Sequence, residues 1–277
     1  MLAHWTQNDL SVNGVRLHYY STGNTDKRPL VLVHGFSDNG LCWTPIAREL
    51  EAEYDVIMPD MRGHGLSERV QAGQKIDMAA DLAGLIRTLE LNCPIICGHS
   101  MGAMITYQIG VRFPELTRAL ILEDPPWWFA QPVQTPPPDE PAEPPIAKWA
   151  RSLANQTLEE LLVQYRKDHP DWPEELLYPM CESKKQLDPA IVDTMTARMH
   201  AQEVNWLTSI QNVTQPLLLF AANPELGGIV TPEVVAEVRK LNPKVTIINM
   251  PDVGHLIRFD KYAAFMDALW AFLKQLA

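Results

Sequence analysis

The feature that most constrains the fold of this chain is an alternation of short apolar runs with helix-like segments. The apolar runs predict strands at residues 14–20, 29–33, 55–60, 94–98, 118–124, 216–221 and 245–250. Predicted helices lie between or after them, at residues 76–91, 101–112, 232–241 and 259–275. Continuous apolar strands are typical of parallel sheets that helices cover on both faces. The sequence therefore predicts an α/β fold built on a doubly wound, mostly parallel sheet.

The alternation is interrupted between residues 125 and 213, where helical patterns occur without convincing strands. This segment opens with a proline-rich run. We predict a catalytic core formed by residues 1–124 and 214–277, with residues 125–213 inserted as a helical cap. The cap would lie over the carboxyl edge of the sheet, where open α/β sheets bind their ligands. An independent helical domain without a catalytic role is the competing interpretation.

Charge and composition argue against several classes of function. The 277 residues carry a formal net charge of −11 and no basic cluster, so a nucleic-acid partner is not expected. No apolar run approaches the ~20 residues of a membrane span, and the N-terminal residues do not resemble a secretion signal. The cysteines lack disulfide or zinc spacing, so we predict reduced thiols and a cytoplasmic protein. Oligomeric state is left open, with a homodimer among the alternatives.

A nucleophile motif occupies the predicted junction of strand and helix at residues 98–102. Gly98, Ser100 and Gly102 match the pattern G-x-S-x-G. Small residues on both sides of the serine allow the backbone to turn sharply, which exposes the serine hydroxyl above the sheet. The helix that follows places its partial positive charge beneath the site. This context predicts Ser100 as a catalytic nucleophile.

At this point the chain resembles the α/β-hydrolase superfamily over nearly its whole length. Four motifs occur in that family's order and spacing: HGF (34–36), DMRGHGLS (60–67), GHSMG (98–102) and GH (254–255). The resemblance implies that His255 is the general base, since a neutral imidazole can take a serine proton. It also implies an oxyanion hole formed by the backbone N–H groups of Phe36 and Met101.

The acid of the triad departs from the family pattern. The family usually places it in the loop after the penultimate strand, which here spans residues 217–232 and holds Asn223 instead. An amide cannot stabilise an imidazolium ion as a carboxylate does. Glu225 lies two residues further on and is one candidate replacement.

Asp124, at the end of the strand after Ser100, is the candidate that we favour. It lies 24 residues after Ser100, a spacing that resembles that of fungal zearalenone lactonases, which carry a glutamate there. Pro125 also biases Asp124 away from helix and ends the strand abruptly. Glu123 and Asp252 are further alternatives.

Three residues are candidates for lining a substrate pocket. Trp127 and Trp128, at the start of the cap, together with His99 inside the motif, are candidate lining residues. The tryptophans could equally pack the cap onto the core. No residue spacing suggests a metal site, and the chemistry requires no cofactor.

The predicted function is hydrolysis of small carboxylic esters or lactones by a Ser-His-Asp triad through an acyl-enzyme. Two alternatives stay open. One is another serine reaction on this fold, such as C–C bond hydrolysis or amide hydrolysis. The other is a non-catalytic ligand receptor. Epoxide hydrolase and dehalogenase chemistry are disfavoured because they require an aspartate where Ser100 stands.

Overall fold

The computed structural model describes residues 4–71, 74–127, 145–194 and 206–276. These residues form one sheet whose strands are β1 (Thr6–Val12), β2 (Val15–Ser21), β3 (Arg28–Val33), β4 (Tyr54–Pro59), β5 (Ile95–His99), β6 (Ala119–Glu123), β7 (Leu217–Ala222) and β8 (Thr246–Met250). The spatial order is β1-β2-β4-β3-β5-β6-β7-β8. The pairs β1–β2 and β2–β4 are antiparallel and all the others are parallel. The predicted fold class is confirmed.

Helices cover both faces of the sheet. The helices of the described residues include α1 (Thr44–Leu50), α2 (Met78–Thr88), α3 (Met101–Arg112), α4 (Pro145–Ala154), α5 (Leu158–Asp168), α6 (Glu174–Gln186), α7 (Pro232–Leu241), α8 (Ile257–Asp260) and α9 (Tyr262–Gln275). Helices α1 and α9 bury apolar side chains against one face, while α2, α3 and α7 pack on the other. None of the described helices has both the length and the apolar character that crossing a bilayer requires.

Strand β1 was not predicted from the sequence. Most of its side chains are exposed, because it lies at the edge of the sheet and pairs only with β2. The two strands form a hairpin through Asn13 and Gly14, both at positive φ (52° and 78°). Asn-Gly suits such a turn, since both residues tolerate this backbone region.

The described residues between β6 and β7 form helices joined by turns and include α4, α5 and α6, with no strand among them. Helix α6 packs on the core through a small apolar cluster that contains Leu176, Leu177 and Met180 together with Cys42. The location of these helices is that of the predicted insertion, and their role as a cap stays a prediction.

Candidate active site

The parallel strands bring the sequence motifs to one edge of the sheet. Their registers pair Val33 with Gly98 and His99 with Glu123. The loops that follow β3, β5, β6, β7 and β8 therefore start at nearly the same level. This is the carboxyl edge, where ligands bind in open α/β sheets.

Ser100 occupies the turn between β5 and α3. Its backbone has φ 52° and ψ −116°, a conformation that is costly for any residue other than glycine. The turn is held by two backbone hydrogen bonds: Ser100 N donates to the Glu123 carbonyl (2.9 Å), and Met104 N donates to the Ser100 carbonyl (3.1 Å). Strain of this kind persists only where the surrounding structure enforces it, and it is concentrated at functional sites.

The two glycines of the motif are required by close backbone contacts. A Cβ atom at Gly98 would collide with the carbonyl of Gly102, and one at Gly102 would collide with the carbonyl of Val33. The chain can approach itself this closely only with hydrogen in place of a side chain. The motif is thus a packed strand-to-helix turn.

Asp124 and His255 are joined by a short hydrogen bond, with 2.6 Å between Asp124 Oδ2 and His255 Nδ1. The Asp124 side chain is fully buried, whereas that of His255 is 27% exposed. Backbone N–H groups of Ile229 and Val230 also donate to the carboxylate, at 2.9 and 3.1 Å. A carboxylate held in this way favours the proton on His255 Nδ1 and leaves Nε2 able to accept one.

The loop after β7 does not offer its own carboxylate to His255. Asn223 Nδ2 donates to the Pro251 carbonyl (2.8 Å), while Asn223 Oδ1 accepts from Glu225 N (2.9 Å). The Glu225 side chain is exposed and makes no described contact with His255. This loop instead supplies the two N–H groups that hold Asp124.

His99 connects the nucleophile turn to His255. Its Nε2–H donates to the His255 carbonyl (3.1 Å), and the two rings lie 4.6 Å apart between centroids. Burial holds the pKa of His99 well below its ordinary value, so this ring is neutral. The described contacts include no Ser100–His255 hydrogen bond. Such bonds are often long without substrate and tighten when it binds.

Phe36 and Met101, the predicted oxyanion donors, stand three residues beyond the paired residues Val33 and Gly98. The loop that carries Phe36 is braced by His34. His34 Nδ1–H donates to the Gly35 carbonyl (2.8 Å), and Met61 N donates to His34 Nε2 (2.9 Å). Burial lowers the pKa of His34, which therefore acts as a neutral brace.

The turn at residues 60–67 is also structural. Asp60 accepts from the N–H groups of Gly40 (2.7 Å) and Leu66 (2.8 Å). Arg62 forms a bidentate pair with Asp81, at 2.9 and 2.7 Å. These contacts tie the turn to the loop after β3 and to α2.

Trp127 is fully buried, and its ring packs edge-on against Tyr107 with 5.8 Å between centroids. This contact belongs to the core between the sheet and α7, which favours the packing interpretation of Trp127. Trp128 lies outside the described residues. The pocket assignments of both tryptophans stay predictions.

Sequence reasoning missed a buried ionic network beneath the site. Lys184 Nζ lies 2.6 Å from Asp38 Oδ1, and Arg258 Nη1 lies 2.9 Å from Glu123 Oε2. Arg258 Nη2 also lies 3.6 Å from Asp38 Oδ2. None of the four side chains is more than 5% exposed. No sequence signal marks them, because charged residues on helices and loops are usually solvated.

The network is charge-balanced, with two acids and two bases. Burial opposes the ionised form of Asp38, but Lys184 and Arg258 outweigh it and hold the pKa of Asp38 below its ordinary value. Burial also opposes the charge on Lys184, yet Asp38 raises the net pKa of that ammonium. The guanidinium of Arg258 lies over the rings of Trp43 (4.2 Å) and Phe259 (3.9 Å).

Comparison with known proteins agrees with this architecture. Residues 30–268 match the model of the alpha/beta hydrolase family. N-formylmaleamate deformylase of Pseudomonas putida is 29% identical over 272 residues, covering 96% of this chain and 95% of the relative. The 2-(acetamidomethylene)succinate hydrolase of Mesorhizobium japonicum is 28% identical, covering 83% and 82%. The crystal structure of N-formylmaleamic acid deformylase from Pseudomonas putida S16 superposes with a TM-score of 0.76 at 26% identity, covering 95% and 100%.

Proposed function

Since the chain belongs to the alpha/beta hydrolase family, we propose that it hydrolyses carboxylic esters, lactones included, through an acyl-enzyme on Ser100. The observation that carries this proposal is the buried hydrogen bond between Asp124 and His255 beside the Ser100 turn. Nucleophilic acyl transfer needs a serine, a base and an oriented carboxylate. Ser100, Asp124 and His255 follow β5, β6 and β8 at the same edge of the sheet, which supports this reaction.

In the proposed reaction, His255 Nε2 takes the proton of Ser100 Oγ as that oxygen attacks the acyl carbon. The N–H groups of Phe36 and Met101 receive the oxyanion that forms, and each such donor typically contributes ~3 kcal/mol. The imidazolium then protonates the departing alcohol, and the acyl-enzyme forms. Water, activated by the same histidine, attacks the acyl carbon and releases the acid and Ser100.

Asp124 supports the cationic form of His255 throughout this cycle. Its carboxylate bonds to Nδ1, on the side of the ring away from the atom that exchanges protons. The N–H groups of Ile229 and Val230 keep it oriented. Asp124 therefore stabilises the imidazolium without being protonated itself.

Hydrolysis of an N-acyl bond is the second candidate. It is favoured by the relatives at 29% and 26% identity, whose names describe removal of an N-formyl group. The same residues serve this reaction if His255 protonates a departing nitrogen in place of an oxygen. The leaving group, rather than the nucleophile, separates the two proposals.

A substrate panel tests both. It would contain p-nitrophenyl acetate, a small lactone and an N-formyl amide, each measured with wild type, Ser100→Ala and Ser152→Ala. Ser152 lies on α4 and is exposed, so its variant is the matched control. We expect Ser100→Ala alone to lose turnover, and the ratio of kcat/KM values decides between ester and N-acyl substrates. Turnover that survives in Ser100→Ala would contradict the proposal.

A further inference from the structure

Helix α6 reaches the loop after β3 through a buried lysine. Lys184 is 3% exposed, and its Nζ lies 2.6 Å from Asp38 Oδ1 and 3.3 Å from the Ser37 carbonyl oxygen. Ser37 and Asp38 directly follow Phe36, whose N–H is the proposed oxyanion donor. A single ammonium group of the inserted segment therefore holds the two residues next to that donor.

The backbone here needs such support. Ser37 has φ 68°, in the left-handed region that serine adopts at a cost. Within the loop, Asp38 N donates to the Gly35 carbonyl at 3.2 Å. The Lys184 ammonium adds a bond to the Ser37 carbonyl from outside the loop. A strained turn keeps one geometry only when its surroundings over-determine it.

The rest of the ionic network joins the same loop to the other site residues. Arg258 bonds to Glu123 through both its backbone N and its guanidinium, each at 2.9 Å, and its Nη2 lies 3.6 Å from Asp38. Glu123 directly precedes Asp124, and Arg258 follows His255 by three residues. Removing one charge from such a buried set leaves its partner uncompensated.

Helix α6 is docked at further points along the same stretch of chain. Asn39 Nδ2 donates to Gln186 Oε1 at 2.9 Å, and Cys42 Sγ lies 3.9 Å from Ser183 Oγ. These contacts flank Lys184 on the helix and follow Asp38 in the loop. The helix is thus a fixed support for residues 37–42.

We propose that Lys184 is a positioning residue: it sets the placement of the Phe36 N–H by holding Ser37 and Asp38. This inference rests on the proposed oxyanion role of Phe36. It assigns to the inserted segment a part in transition-state stabilisation, in addition to any part in enclosing the substrate. The effect should fall on kcat, because a misplaced oxyanion donor weakens binding of the transition state more than that of the substrate.

The test compares Lys184→Met with Lys185→Met in the full-length protein. Lys185 Nζ donates to the Ala154 and Gln156 carbonyls (3.0 and 2.5 Å), so its loss disturbs the same helix without touching the loop. With p-nitrophenyl acetate, Lys184→Met should lower kcat ~10- to 100-fold with little change in KM. An aryl trifluoromethyl ketone, whose adduct places an oxyanion in the hole, should bind more weakly by a similar factor. Lys185→Met should retain kcat and inhibitor affinity.

A double variant, Lys184→Met with Asp38→Asn, separates positioning from stability and serves if Lys184→Met does not fold. It removes both charges of the Lys184–Asp38 pair and leaves the Arg258–Glu123 pair balanced. Its melting temperature should therefore exceed that of Lys184→Met, while kcat stays low. Recovery of kcat together with the melting temperature would overturn the inference, as would wild-type kcat in folded Lys184→Met. If either of these results is obtained while Ser100→Ala is inactive in the same assays, only this inference fails and the proposed function stands. Turnover in Ser100→Ala, or none in wild type, would overturn the proposed function and this inference together.

Discussion

His255 Nδ1 lies 2.6 Å from Oδ2 of Asp124, a carboxylate that is fully buried and also accepts two backbone hydrogen bonds. The two residues are 131 positions apart in the chain, and the sheet brings them together in the loops that follow β6 and β8. This hydrogen bond is the basis for proposing Asp124 as the carboxylate that orients His255.

Asp124→Asn should lower kcat by ~10⁴, because an amide cannot stabilise the imidazolium and can select the wrong tautomer. Glu225→Gln is the matched control, since this side chain is exposed and makes no described contact with His255. Steady-state kinetics on the best substrate of the panel would measure both. A larger loss in Glu225→Gln than in Asp124→Asn would contradict the assignment.

Placing the acid at the family's usual position should not restore activity. In the double variant Asp124→Asn with Asn223→Asp, the new carboxylate cannot donate to the Pro251 carbonyl as the amide does. The Asn223 side chain is held by its hydrogen bonds with the Pro251 carbonyl and with Glu225 N, and it makes no described hydrogen bond with His255. We expect kcat to stay within ~10-fold of Asp124→Asn. Recovery to near wild-type kcat would show that the loop can carry the acid.

Much of this arrangement could be predicted from the sequence. Continuous apolar strands such as β3 and β5 predict a parallel sheet, and a parallel sheet places the ends of its strands on one edge. Asn223 leaves the usual acid position without a carboxylate, and this favours Asp124 as the acid. The local sequence pattern is enough to predict the buried strands, where only apolar residues fit, and the Ser100 turn, where only glycine fits on either side.

The rest depends on long-range contacts that leave no local pattern. Most side chains of strand β1 face solvent, so its sequence lacks the apolar run that marks β3. Lys184 lies on a helix with other charged residues, and only the packing of α6 on the loop shows that it is buried. A tertiary ion pair cannot be inferred from either partner alone.

Trp127→Ala should mainly reduce stability. Its side chain is fully buried, and loss of such a tryptophan typically costs ~3–5 kcal/mol through the cavity that it leaves. Trp149→Ala on α4 is the control: that side chain is 41% exposed, so we expect a change within ~0.5 kcal/mol. Urea denaturation would measure both. Unchanged stability in Trp127→Ala, with an altered ratio of kcat/KM for short and bulky esters, would favour a pocket role instead.

Folding stability should fall as the pH drops below about 6.5, because buried histidines are neutral in the folded state. Burial lowers the pKa of His64 from 6.5 to about 3. Between these values the unfolded chain binds a proton there that the folded chain does not, so the free energy of unfolding rises with pH. The contribution of His64 is complete above pH 6.5 and is lost as the pH falls toward 3.

Each such histidine contributes a slope of about 1.4 kcal/mol per pH unit within that window. His64→Gln should therefore flatten the dependence of the free energy of unfolding on pH, measured by urea denaturation between pH 4.5 and 7. His4→Gln, which changes an exposed histidine, is the control. An unchanged slope in His64→Gln would mean that this side chain takes up a proton in the folded protein.

The most direct test of the account is covalent labelling of the nucleophile. A fluorophosphonate reacts with a serine that is activated by an adjacent base, and peptide mass spectrometry locates the adduct. We predict one adduct per chain, on Ser100, with labelling absent in Ser100→Ala and strongly slowed in Asp124→Asn. An adduct on another residue, or undiminished labelling of Ser100→Ala, would contradict the assignment of Ser100, His255 and Asp124 as the catalytic triad.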